Sequence, residues 1–582
     1  MIILGISAGH ESGAALLKDG DIIFAASEER YARNKMITSM PFLAVKEALS
    51  FTKIKPEDID IIAVSILNKN NPILGNGDVY YKLIPFTKGK NLWKFYYPAQ
   101  KKRIVKIGIK SVLINLICAT GLPRYLYCYV FQLWKLKKIL KGFRGKIEYY
   151  DHHDCHVATA YLTSDFKTSC LSVVSEGTDG KACFKVDLID KGKFTRLCTS
   201  YFPHSPGHFY ELSAEILGFN PVIHCGKITG LAAYGNPDIL YSEVSKLMWV
   251  SGWNIQLSPL VYTLGVEYAK SGRLPDFFKN ESKENIAAAF QKRLEDCIIQ
   301  IVSQICQKYN AKNILFSGGT AANVRLNQKL HNVTEVDNIY IHPGMSDCGQ
   351  PLGAALLACA NGDILNGERK RIKNVFFGGT YSNEDILLAI KKLGITAYDY
   401  FEDINDEIAR LLSNYEVIAV YNGRMEYGPR ALGNRSILYH AGDPEVNNWL
   451  NHKLKRSEFM PFAPAILAEH ASKLFTDIKG KEYTAEFMTI TCNCSDWMKE
   501  KCPAVVHIDG TARPQLVYKE NNPHFYDILH KYYEKTGIPV LINTSFNIHN
   551  EPIVGIPEDA LRSHLEGGLK YLAIGNYLVH SK

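Results

Sequence analysis

The chain opens as an alternation of short apolar runs and polar breaks. "IILGIS", "GAALLK" and "DIIFAA" are separated by "AGHES" and "DG". This spacing predicts three strands joined by turns over residues 2–27, with Asp19-Gly20 as a hairpin signal. The pattern returns at 170–197 as "CLSVVS", "EGTDG", "KACFKVDLI", "DKG" and "KFTRLC". In both copies a short polar turn containing glycine follows the first apolar strand, a weak internal repeat. Two strand-loop-helix units come next. "KNILFSGGTAANVRLNQKL" passes from an apolar strand through Gly318-Gly319 into a helix, and "VDNIYIHPGMSDCGQPLGAALLACA" does so through a loop that holds Asp347. Strands alternating with helices across glycine-rich joints predict an α/β architecture with ligands at the strand ends.

The charged run "NGERKRIKN", 366–374, reads as a linker. After it, "NEDILLAIKKLGI" predicts an amphipathic helix and "YEVIAVYNGRMEYGPRALGNRSILYHA" predicts strand, basic loop, strand. "GIPVLINTSFNIHNEPIV" predicts an apolar strand that ends in a polar loop. The expected division is a first domain over 1–370 and a second α/β domain over 376–582. A chain of 582 residues is long for one core, which agrees with two domains.

Charge changes this picture in one place. The net charge is +8, yet residues 79–147 contain no Asp or Glu and sixteen Lys and Arg, so the remainder carries 8 − 16 = −8. The basic character belongs to one segment, and a nucleic-acid partner is not expected. That segment interleaves cations with Trp, Tyr and Phe, which suits peripheral contact with an anionic membrane face or an anionic glycan. A helical insertion that packs on the body and keeps its lysines in water is the plainer reading and the preferred one. Its apolar runs are too short to span a bilayer. The fourteen cysteines include no C-x-x-C pair, which predicts reduced thiols in a cytoplasmic protein. The N-terminus shows no signal-peptide pattern.

Several segments could carry chemistry. "DHHDCHVATAY", 151–161, puts His152 and His156 four residues apart, on one face of a helix. That spacing suits two imidazole ligands of a metal, with Asp347 as a distant third donor. A histidine-rich helix cap fits the spacing equally well. "SGGTAANVRLN" places backbone N–H groups at a helix start, and "GKITGLAAYGNP" puts Lys227 in a glycine-rich loop; both could meet phosphate. No Walker A or G-x-G-x-x-G pattern is present. In the second domain, Arg424, Arg430 and Arg435 stand among glycines, Lys455 and Arg456 precede "MPFAPA", Arg513 lies in "DGTARPQ", and Thr544 and Ser545 end a strand. Guanidinium groups with hydroxyls suit a triphosphate and a small phosphate ester.

Eight segments in order resemble the O-carbamoyltransferases of nodulation and antibiotic biosynthesis, over nearly the whole length. They are "GISAGHESGAALLKDGDIIFAASEERYARNK", "HHDCHVATAY", "GKITGLAAYG", "SGGTAANVRLN", "SDCGQPLGAAL", "GRMEYGPRALGNRSIL", "MPFAPAIL" and "LINTSFNIHNEPIV". The resemblance implies an actin-like first domain, similar to the tRNA threonylcarbamoyl transferases, and a YrdC-like second domain. It implies that carbamoyl phosphate and ATP give carbamoyl adenylate in the second domain, with phosphate and pyrophosphate released. The first domain then passes the carbamoyl group to an acceptor hydroxyl and releases AMP. It further implies Mg²⁺ with the ATP and ferrous iron on His152, His156 and Asp347. His10 would be the general base, and Lys35 would stabilise the carbonyl charge. Lys227, Gly318, Gly319 and Asn323 would lie on the nucleotide side. Arg424, Arg430, Lys455, Arg456, Arg513, Thr544 and Ser545 would hold carbamoyl phosphate and ATP. Three departures stand out: Met36-Ile37 replaces a frequent His-Asp, "SEGTDG" offers Glu176 or Asp179 where the family carries Asp, and "KLKRSEFMPFAP", with Lys455 and Arg456, is one residue shorter than the commonest form. A sugar or glycan hydroxyl is the expected acceptor, and a homodimer is an open expectation. The alternatives are an actin-like sugar kinase or ATPase and a non-catalytic scaffold.

Overall fold

A computed structural model describes residues 1–66, 132–177, 182–191, 193–272, 275–453 and 462–581. Most of the basic stretch, 79–131, lies outside the described residues, as do Asp179, Lys455 and Arg456.

The N-terminal half contains two five-stranded sheets. The first comprises β1 (Ile2–Ser7), β2 (Gly13–Lys18), β3 (Asp21–Ser27), β4 (Ile61–Ile66) and β5 (Lys146–Asp151), in the order β3-β2-β1-β4-β5. The second comprises β6 (Cys170–Ser175), β7 (Ala182–Asp190), β8 (Lys193–Tyr201), β11 (Asn313–Ser317) and β12 (Asn338–Tyr340), in the order β8-β7-β6-β11-β12. A small hairpin, β9 (Met248–Ser251) with β10 (Asn254–Leu257), intervenes. In each sheet the first three strands are antiparallel and the last two run parallel to the first strand of the set. The weak repeat in the sequence is therefore the start of a whole duplicated sheet. Strand β5 begins at Lys146, inside the end of the expected insertion.

Two helices pack together against these sheets, His152–Leu162 and Gln350–Cys359. Their approach depends on a missing side chain: a Cβ on Gly353 would lie 2.2 Å from the Cys155 carbonyl oxygen. Only glycine allows that contact. The first helix starts cleanly because Asp151 caps it, accepting from the His153 and Asp154 amides. The segment around Lys227 differs from the glycine-rich loop expected. Residues Cys225–Leu231 form a helix, because Ile228, Leu231 and Ala232 recur at helical spacing and are buried.

The C-terminal half is built on one eight-stranded mixed sheet. Its strands are β13 (Tyr398–Tyr400), β14 (Ile418–Tyr421), β15 (Arg435–His440), β16 (Ala463–Leu467), β19 (Gln515–Val517), β20 (Val540–Ser545), β21 (Tyr571–Ile574) and β22 (Tyr577–His580). The order is β13-β22-β21-β14-β15-β20-β16-β19. A short pair, β17 (Cys492–Asn493) with β18 (Thr511–Ala512), lies apart. The expected strands at the basic loop and at "VLINTS" are present. The run 366–374 is no slack linker. Arg369 donates to the Phe166 carbonyl, and Arg371 bridges Asp165 at 3.0 Å and Glu486 at 2.5 Å. The Ile372 amide donates to the Tyr483 hydroxyl at 3.1 Å. Tyr483 in turn stacks on Tyr340 of β12 at 4.4 Å, with planes 5° apart. One apolar core runs through both halves.

Candidate functional site

The helix pair sets the site. His152 opens one helix, His156 follows one turn later, and Asp347 stands just before the other helix. The His152 Nε2 lies 3.2 Å from Asp347 Oδ1, and the His156 Nε2 lies 3.5 Å from the same oxygen. Glu176, at the end of β6, brings Oε1 to 2.7 Å from His156 Nε2. One donor atom from each of these four residues lies within 4.8 Å of every other.

Three of the facing atoms, His152 Nε2, His156 Nε2 and Asp347 Oδ1, are buried and make no hydrogen bond. Close approach without hydrogen-bond alignment is what donors aimed at a common point show. Buried polar atoms left in this state are costly without a further partner. Two imidazoles and two carboxylates form a set that suits iron, zinc or manganese, so these residues fit a metal. Electrostatics agree. Burial lowers the proton affinity of both histidines, but the carboxylates outweigh it: His152 is raised and His156 rises to about 9. Burial opposes the ionisation of Asp347, yet the two imidazoles hold it well below the usual carboxylate range.

The surroundings fix these groups. The Gly319 amide donates to Glu176 Oε1 at 2.9 Å, which links the donor set to the Gly318-Gly319 loop. Gly318 has φ +93°, and a Cβ there would meet the Ser175 carbonyl oxygen at 2.3 Å and Glu176 Oε1 at 2.7 Å. Asn323 caps the helix Val324–His331 and pairs with Gln291 at 2.9 Å. Gln291 bonds Tyr210, which meets Thr229 on the helix of the buried Lys227. A buried chain of side-chain bonds thus joins Asn323 to the helix that carries Lys227.

His10 is half-buried in the turn after β1, pinned by the Gly9–Ser39 bridge at 3.1 and 3.2 Å. Its neighbour Glu11 takes a left-handed φ of 49°. Burial raises the Glu11 carboxyl; His10 opposes this and Asp347 adds to it. Lys35 is exposed, in a turn held by the Met36 amide on Glu29 at 2.8 Å.

Sequence reasoning missed three participants. It saw Glu176 as a turn residue and not as a metal donor. Its signal was its place in the repeat, at the end of β6 as Ala8 is at the end of β1. It passed over Glu11 beside His10. It also passed over His342, whose Nδ1 accepts from the Gly344 amide at 3.0 Å while its buried Nε2 has no hydrogen-bond partner. Burial pushes His342 down to about 3, and His156 adds to that.

In the C-terminal half the cations divide. Arg424 donates to the carbonyls of Gly378, Ile23 and Phe377 at 2.9, 2.8 and 2.6 Å, and packs over Phe51 at 4.9 Å. Arg435 is fully buried, bonds the carbonyls of Asn422, Asn434 and Gly423, and covers Tyr421 at 3.6 Å. These two brace the loop. Arg430 is different: among the described residues its guanidinium is tied to no carbonyl, its Nε is buried without a hydrogen-bond partner, and burial lowers its pKa to about 10. The loop carbonyls beside it are fixed, Ala431 by Asn543 at 3.3 Å and Leu432 by Gln515 at 2.8 Å. Arg513 follows β18, and Thr544 and Ser545 end β20, where Ser545 donates to Asn547 at 2.6 Å.

Residues 2–356 match the carbamoyltransferase N-terminus family and residues 409–581 the carbamoyltransferase C-terminus family. The chain belongs to the carbamoyltransferase family. An uncharacterized protein of Methanocaldococcus jannaschii is 31% identical over 99% of each chain. The nodulation protein NolNO of Sinorhizobium fredii is 27% identical over 100% of this chain and 83% of its own. The nodulation protein U of Rhizobium tropici is 25% identical, covering 94% and 91%. This carbamoyltransferase therefore works on a carbamoyl donor and an acceptor. The mixed α/β structure with several sheets agrees with the two-part family. Among the described residues no helix is long and apolar enough to cross a membrane.

Proposed function

We propose that this carbamoyltransferase is ATP-dependent: it makes carbamoyl adenylate in its C-terminal half and carbamoylates an acceptor hydroxyl in its N-terminal half. The observation that carries the reading is the buried donor set of His152, His156, Glu176 and Asp347, whose facing nitrogens and Asp347 Oδ1 lack hydrogen bonds. The duplicated five-stranded sheet supports an actin-like first half, with the donor set beside a strand-end loop suited to a nucleotide. The loops at the ends of β15 and β20 support a YrdC-like second half.

In the first stage carbamoyl phosphate gives up phosphate to water, and the carbamate oxygen attacks the α-phosphorus of Mg-ATP, expelling pyrophosphate. Arg430, Arg513, Thr544 and Ser545 bind the phosphoryl oxygens, with Lys455 and Arg456 assigned beside them. Arg424 is left out, because its guanidinium is committed to carbonyls. In the second stage the acceptor oxygen attacks the carbamoyl carbon, the bond to AMP breaks, and His10 takes the hydroxyl proton. Lys35 offers positive charge to the carbonyl oxygen. Lys227, Gly318, Gly319 and Asn323 orient the nucleotide. A metal on the four donors, for which ferrous iron is our assignment, supplies fixed positive charge and Lewis acidity. The acceptor we assign is a sugar or glycan hydroxyl, motivated by the acid-free, aromatic-rich stretch 79–147; the same stretch motivates peripheral contact with a membrane face.

The test is to load the protein with ferrous iron and supply Mg-ATP with and without carbamoyl phosphate. Pyrophosphate release that depends on carbamoyl phosphate is the expected result. Conversion of ATP to ADP would overturn the reading in favour of a kinase.

A further inference from the structure

Between β3 and Lys35 lies a four-residue helix, Glu29–Ala32, with Arg33 as its left-handed C-cap at φ 52°. Its arginines reach across to the C-terminal half. The fully buried Arg30 donates to the Gly428 carbonyl at 2.7 Å, in the loop that carries Arg430. Arg33 donates to the carbonyls of Ile553 and Pro552, both at 2.8 Å, and to Glu551 at 3.2 Å; Asp559 lies 3.6 Å from its Nε. The two segments touch closely, since a Cβ on Gly555 would lie 2.7 Å from the Arg30 carbonyl oxygen.

From Glu551 the contacts continue to the end of β20. Arg562 grips the Glu551 carboxylate at 2.5 and 3.1 Å. Asn547 donates to the Glu551 carbonyl at 3.0 Å and accepts from Ser545 at 2.6 Å. On the other side, Glu29 holds the Met36 amide at 2.8 Å and so folds the Lys35 turn back onto the short helix. A continuous set of hydrogen bonds and two covalent steps thus joins Ser545 to Lys35.

We propose that Arg33 is a positioning residue that ties the Lys35 turn to the Ser545–Ile553 loop, so that the placement of Lys35 depends on the state of that loop. The inference rests on the proposed roles of Lys35 and Ser545, and names a contact through which the two half-reactions are coupled. A bidentate guanidinium in the left-handed cap position can hold both partners at once, which a point charge does less well.

The test uses the full-length, iron-loaded protein. Lys35 is acetylated with a water-soluble amine reagent and quantified by mass spectrometry, with exposed Lys53 as internal reference. Pyrophosphate and AMP are followed in parallel, with Mg-ATP and carbamoyl phosphate as ligands. For Arg33→Ala we expect Lys35 acetylation, relative to Lys53, to shift at least about threefold without ligands. Its response to ligands should be lost, and AMP released per pyrophosphate should fall about tenfold. Arg33→Lys should restore part of each change. If Arg33→Ala does not fold, Glu551→Gln takes its place, with a smaller shift in the same direction expected. Wild-type acetylation and wild-type AMP-to-pyrophosphate ratios in a folded variant would overturn the proposal. If wild-type protein releases no pyrophosphate, the proposed function fails, and the ligand-free acetylation comparison still decides the tie.

Discussion

The two charged centres of the molecule are built in opposite ways. Around His152 and His156, four donors from three separate segments face one another across a few ångströms, and three of the facing atoms have no hydrogen bond. In the loop 422–435, two of three arginines donate to backbone carbonyls and cover aromatic rings, whereas among the described residues Arg430 is tied to no carbonyl and keeps its Nε buried without a partner. The first centre is sparse in sequence and concentrated in space. The second is dense in sequence and mostly architectural. Charge density along a chain therefore says less about ligand binding than the hydrogen-bond state of each buried atom.

The largest effect should come from emptying the first centre. His156→Ala should lower ferrous iron affinity by more than about 100-fold, beyond the roughly 10–100-fold range of outer contacts, as read by anaerobic titration and metal analysis. Retention of iron by a folded His156→Ala protein would remove the distinction between the two centres. Glu176→Gln should give an intermediate loss, because the amide keeps the shape and loses the charge. Gly318→Ala comes next. A side chain there must take a left-handed backbone and collide with Ser175, so thermal stability should fall by about 1–2 kcal/mol or more, measured by denaturant melting with and without iron.

The arginines sharpen the contrast. Arg424→Ala removes the donor shared by three backbone carbonyls, and should cost about 1–3 kcal/mol of stability. Arg430→Ala should leave the melting temperature near or above wild type, while carbamoyl-phosphate-dependent pyrophosphate release drops. The reverse ranking in melts and pyrophosphate assays would mean that Arg424 carries the ligand. The smallest effect belongs to the exposed pair Lys246–Glu243 at 2.7 Å; Lys246→Ala should change stability by about 0–1 kcal/mol.

Much of this was legible beforehand, for physical reasons that differ by element. The strands of both copies announced themselves through apolar runs and polar turns, because sheet strands buried on both faces need continuous hydrophobicity. The H-x-x-x-H pair was visible because helical periodicity is local. The residues that complete it were harder. Glu176 and Asp347 reach the site through β6 and β12, and strand neighbourhood is not written in local spacing. In helix Cys225–Leu231, Gly226 and Gly230 give the sequence a loop signature that masks the apolar period of Ile228, Leu231 and Ala232. The split between Arg424 and Arg430 depends on carbonyls contributed by residues 23, 377 and 378, far away in the chain.

The run 366–374 carries a consequence for how such a protein can be taken apart. Its arginines and the Tyr340–Tyr483 stack bolt the halves together from both sides. Cutting the gene there would not yield two tidy modules: each fragment would display a sticky aromatic scar and stranded charges. Two-piece expression should give material that is rescued only when both fragments are made in the same cell, so the joint itself makes the two halves stand, and fail, together.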